Sequence, residues 1–76
     1  MKMVPVSSSN LASVGYDSTT RILRVEFRSG AVYEYSEVPE AEYQGLMGAN
    51  SKGSYFHQNI KDRYSYTKIG SVSKPY

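Results

Sequence analysis

Between Leu23 and Tyr35 two alternating runs meet at one glycine, and the geometry of that meeting decides which side chains can share a core. Leu23, Val25 and Phe27 alternate with Arg24, Glu26 and Arg28, the two-residue period of a strand with one buried face. Tyr33 and Tyr35 repeat the spacing beyond Arg28-Ser29-Gly30. A two-residue Ser-Gly loop would set the tyrosines opposite Glu26 and Arg24, on the charged face. A three-residue loop, with Gly30 in the left-handed position, pairs Leu23 with Tyr35, Val25 with Tyr33 and Phe27 with Ala31. All the large residues then lie on one face, and a slip of one residue would undo this. The sequence therefore predicts a three-residue hairpin loop and places Tyr33 and Tyr35 in the core.

The flanking segments extend the pattern. Leu11 to Tyr16 reads as an earlier strand, with Ala12, Val14 and Tyr16 on one face, and Asp17 to Thr20 as the turn after it. Pro39 suits the first position of a helix, and Glu37, Glu40 and Glu42 complement its positive end. Tyr43, Leu46 and Met47 fall at i, i+3 and i+4 on that helix, which Gly48 to Asn50 ends. Ser51 then caps a second helix, expected from about Lys52 to Tyr64, with Phe56, Ile60 and Tyr64 as its apolar stripe. Tyr66 and Ile69 are expected to dock on the domain, and the chain beyond Gly70 to fray. The fold class is α+β: a three-stranded antiparallel sheet, in the order β-β-β-α-α, with two short helices packed on one face. The domain is expected over residues 7–69, with residues 1–6 and 70–76 as flexible termini.

A chain of 76 residues is one small domain that needs nearly all its large apolar residues for the core. Eight of its ten aromatic residues are tyrosines, which bury a ring while keeping a hydroxyl wet. With no cysteine there are no disulfides and no thiolate zinc site. The N-terminus lacks a signal-peptide apolar core and no run is long enough to span a bilayer, so the expectation is a cytoplasmic protein without a membrane partner. Charge is uneven. Residues 1–50 carry Lys2, Arg21, Arg24 and Arg28 against six acids, whereas Lys52, Lys61, Arg63, Lys68 and Lys74 face Asp62 alone in the remainder. The C-terminal part is the half suited to a polyanion.

Taken in order, Gly15-Tyr16-Asp17, then Leu23, Val25, Phe27, Gly30, Tyr33, Tyr35 and Val38-Pro39, then Ser51, Gly53, Tyr55-Phe56, Ile60-Lys61 and Tyr64 resemble the KTSC domain family. The resemblance covers about residues 7–69, and its central element is the Tyr33-x-Tyr35 pair. That family takes its name from the C-terminus of certain lysyl-tRNA synthetases and includes stand-alone bacterial and phage proteins. The resemblance implies no catalytic residues. It implies RNA binding only through the attachment to tRNA synthetases. The family often has arginine where this chain has Lys61, which keeps the charge but not a bidentate fork.

The residues themselves point to the second helix. Lys52, Tyr55, Asn59 and Arg63 share one flank at 100° per residue, beside the apolar stripe, and Lys61 projects on the other side. Cations, an amide and a phenol suit phosphate contacts with a stacking or sugar contact. His57 is the sole histidine and is assigned to the edge of the helix interface; no metal or other cofactor is expected. No nucleophile has an activating base placed by motif, so the reading is a non-enzymatic binding module. Its first ligand class is nucleic acid, RNA foremost, with Lys52, Tyr55, Asn59, Lys61 and Arg63 as contacts. The alternative is a module that docks a larger protein through an apolar patch around Leu46, Met47 and Ile69.

Overall fold

The structure, a computed structural model, describes residues 1–71. Seven elements follow one another: β1 (Met3–Pro5), β2 (Leu11–Asp17), β3 (Ile22–Phe27), β4 (Ala31–Tyr35), α1 (Glu40–Gly48), α2 (Lys52–Asn59) and β5 (Tyr66–Ser71). The strands form one antiparallel sheet in the order β1-β2-β3-β4-β5, so the sheet has five strands and not the expected three. Both additional strands are edges. β1 is three residues long and ends in Pro5, and the side chains of β5 from Tyr66 to Gly70 are exposed, so neither carries the apolar alternation that marks a half-buried strand. The ordered sheet thus reaches beyond residues 7–69 at both ends: fraying was expected beyond Gly70, but Ser71 ends β5, and the rest of that expectation falls outside the described residues.

The central hairpin has the register that the alternation predicts. Leu23 lies opposite Tyr35 and Val25 opposite Tyr33, and the Gly30 N–H donates to the Phe27 carbonyl at 2.9 Å. Gly30 has φ of 100°, a conformation that costs a residue with a Cβ. In β2 the expected facing changes, because a bulge at Ala12 shifts the pairing between Leu11 and Ser13. Leu11, rather than Ala12, therefore joins Val14 and Tyr16 on the inner face, and Leu11 is fully buried. The outer face is polar: Ser13 Oγ donates to Glu26 at 2.7 Å, and Arg24 Nη2 reaches Glu34 at 2.6 Å.

Both helices pack on the inner face. The core joins Leu11, Val14, Leu23, Val25 and Tyr35 of the sheet to Val38, Leu46, Phe56 and Ile60. Tyr16 anchors α1, since its hydroxyl donates to the Val38 carbonyl at 2.6 Å and its ring stacks on Tyr43 with centroids 5.0 Å apart. Pro39 sits one position before the helix, with extended φ and ψ, and its carbonyl accepts from the amides of Glu42 and Tyr43. Ser51 is the N-cap of α2, accepting from the Ser54 amide at 3.3 Å. α2 stops at Asn59, short of the expected Tyr64, because the Lys61 amide bonds back to the Phe56 carbonyl at 2.9 Å and turns the chain. Phe56 and Ile60 are still buried, and Tyr64 packs half-buried beyond the helix.

Candidate nucleic-acid interface

Five aromatic residues from four elements close a cycle on the inner face beside α2. Phe27 packs on Tyr33, Tyr33 on Tyr66, Tyr66 on Tyr35, Tyr35 on Phe56, and Phe56 back on Phe27, with ring centroids 5.4 to 5.7 Å apart. The hairpin register sets Tyr33 and Tyr35 two residues apart on one face of β4, and the pairing of Tyr35 with Tyr66 brings in β5. Phe56 comes from the stripe of α2. All five rings line an open cleft of about 380 Å³, together with Asn10, Ser29, His57, Lys61 and Asp62. That volume lies near the lower end of small-ligand pockets, which run from about 300 Å³ upward.

The two central tyrosines play different parts. Tyr35 is only 3% exposed and belongs to the core, whereas Tyr33 is half-buried and presents part of its ring to the cleft. Tyr35 makes no hydrogen bond to another described residue, yet its hydroxyl is not sealed from solvent. Burial pushes its phenol up to about 12, with smaller contributions from the charges of Tyr33, Tyr66 and Asp62. At neutral pH it is therefore a protonated donor at the cleft wall. Tyr66 is 57% exposed although its ring packs on both Tyr33 and Tyr35.

Charge is sorted around this cleft. Lys61 lines it, and Lys68, opposite Tyr33 in the pairing, lies on the same face of the sheet. Glu26 and Glu34 lie on the outer face, and Glu37, Glu40 and Glu42 lie at or before α1, leaving Asp62 as the acid in the cleft lining.

The five residues singled out on the second helix are not gathered in one place. Lys61 is in the cleft. Lys52 caps the end of α1, its Nζ donating to the Ala49 carbonyl at 3.1 Å. Tyr55 faces α1 and donates to Glu42 Oε2 at 2.5 Å, and Asn59 donates to the Tyr55 carbonyl at 3.2 Å. Arg63 is exposed in the turn after α2, off the helical flank that the longer helix would have given it. His57 is exposed at the cleft rim rather than within the helix interface. Of the proposed apolar patch, Leu46 is fully buried, Met47 is packed against the core and Ile69 is exposed on β5. Tyr66 is the cleft residue that the pattern of Tyr66, Lys68 and the β-favouring Thr67 and Ile69 would have revealed as part of a strand.

A five-stranded β-meander that carries two short helices and an aromatic cleft on one face is a small α+β domain. The chain belongs to the KTSC domain family, whose model matches residues 7–64. It is 47% identical over 70 residues to an uncharacterized protein of Stutzerimonas stutzeri, covering 91% of this chain and 99% of that one. It is 48% identical over 54 residues to the lysine–tRNA ligase of Trichormus variabilis, covering 71% of this chain but 10% of the ligase. The domain therefore occurs both as a stand-alone protein and as a small part of these ligases. Among solved structures, the crystal structure of a KTSC domain protein from Yersinia pestis superposes with a TM-score of 0.88 at 43% identity, covering 91% of this chain and 97% of that one.

Proposed function

We propose that the domain is a non-enzymatic module that binds single-stranded nucleic acid, RNA first, by laying an unpaired base against the aromatic cleft. The observation that carries this reading is the cycle of five rings left open beside Lys61, with Lys68 on the same face. Bases stack on aromatic side chains whatever their sequence, and lysines on the rim neutralise the flanking phosphates. Lys61 is offset by Asp62 in the cleft lining, and Lys68 on the same face tips this side toward a polyanion. A similar segment forms part of proteins named lysine–tRNA ligase, which is consistent with an RNA ligand. Docking of a larger protein has less support, since the patch envisaged for it is reduced to Ile69.

Titration with single-stranded RNA and DNA oligomers at about 50 and 200 mM salt tests the proposal, because phosphate neutralisation makes affinity fall with salt. Chemical-shift changes are expected on Tyr33, Lys61 and Tyr66. Shifts confined to α1, or none at the lower salt, would sink it.

A further inference from the structure

The cleft holds two polar groups that base stacking does not use. Tyr35 is nine-tenths buried, lines the cleft and has no hydrogen-bond partner among the described residues. The ring is buried but the hydroxyl still meets solvent, so a ligand in the cleft can reach it. Asp62 lines the same cleft and makes no ion pair with another described residue. A carboxylate on the path of a phosphate chain works against binding unless a donor faces it.

Taking the nucleic-acid reading as its basis, we infer that the cleft selects guanine, with Asp62 accepting from the base and the Tyr35 hydroxyl donating to it. The choice follows from a count of donors and acceptors. Guanine presents two adjacent donors, N1–H and the N2 amine, which fit the two oxygens of one carboxylate, and beside them O6 accepts a hydrogen bond. Adenine and cytosine each offer one amine next to an acceptor, so one carboxylate oxygen is left without a base donor. Uracil offers a single imide N–H. Single-stranded bases are read on this edge once they are stacked on aromatic rings. A bidentate contact of this kind distinguishes bases by about 5- to 150-fold.

The test uses uridine pentamers with guanosine, adenosine, cytidine, inosine or uridine at the centre, titrated into the whole protein by fluorescence anisotropy. The guanosine oligomer is expected to bind at least about fivefold tighter than the all-uridine one. Inosine, which lacks the N2 amine, is expected to fall between them. Asp62→Asn, an exposed substitution in the turn after α2, should abolish the ranking. Equal binding of all five, or a guanosine preference that survives D62N, overturns guanine selection and leaves nucleic-acid binding standing. Failure of every oligomer to bind at low salt removes both.

Discussion

The hydroxyl of Tyr55 meets Glu42 at 2.5 Å across the line where α1 and α2 pack, and it reaches there over Gly45. A Cβ built on Gly45 would lie 2.2 Å from the Tyr55 oxygen and 2.9 Å from the ring carbon that bears it. The other Glu42 oxygen accepts from Tyr64 at 2.8 Å, so one carboxylate ties α2 and the following turn to α1.

Gly45→Ala sets two effects against each other. Alanine favours the helix by about 1 kcal/mol over glycine, but displacing a rigid ring from a packed contact costs about 1 to 3 kcal/mol. The ring cannot swing aside without losing its bond to Glu42, so net destabilisation is expected, seen as a lower urea midpoint. In a Tyr55→Ala background the obstacle is gone, and the same substitution should become stabilising. Additivity between the two changes would refute the proposed contact.

Tyr35 gives the stability a defined pH dependence. Its phenol titrates at about 12 in the folded state against 10.0 for an ordinary tyrosine. Below pH 10 both states hold the proton and stability is at its full value. Between pH 10 and 12 the unfolded chain has released it while the folded protein keeps it, so stability falls as pH rises. The loss amounts to roughly 2 to 3 kcal/mol by pH 12. Tyr55, raised chiefly by its bond to Glu42, and Tyr64, raised chiefly by burial, act in the same direction. Urea unfolding at pH 8, 10, 11 and 12 should therefore show a shallower decline for Tyr35→Phe; parallel curves would contradict the assignment.

The hairpin offers the cleanest link from sequence to fold. Gly30→Ala forces a Cβ into a backbone with φ of 100°, at a cost of about 1 to 2 kcal/mol. Native-like shifts for Leu23, Tyr33 and Tyr35 are expected to persist in the variant, because the inner-face side chains hold the register. A variant as stable as the parent would mean that the loop does not need the left-handed residue.

That hairpin was legible because its two faces differ so sharply in chemistry that only one loop length satisfies both. The edge strands were not legible from alternation, because a strand such as β5, whose side chains from Tyr66 to Gly70 lie in solvent, needs none. The end of α2 was hidden for a different reason: Phe56, Ile60 and Tyr64 keep helical spacing although the chain leaves the helix after Asn59. This misplacement carried the candidate contacts with it. Lys61, read as lying off the main flank, is the one in the cleft, while Lys52, Tyr55 and Asn59 are engaged in helix packing. Tyr33 was read as core because the hairpin register sets it on one face with Leu23, Val25 and Phe27, and β5 is what turns its ring into a cleft wall.

The salt dependence of binding separates cleft cations from those elsewhere. For single-stranded ligands, log affinity falls against log salt with a slope of about −0.7 per phosphate neutralised. Lys61→Ala and Lys68→Ala should each weaken RNA binding and make that slope shallower by about 0.7. Arg24 serves as the comparison, since it lies on the outer face and is paired with Glu34. Its pair is partly exposed, with side chains 35% and 25% accessible, so Arg24→Ala should cost under about 1 kcal/mol of stability. The slope should be unchanged in that variant. If Arg24→Ala moved the slope as far as Lys61→Ala did, the ligand would be responding to overall charge, and the aromatic face would have no special claim on it.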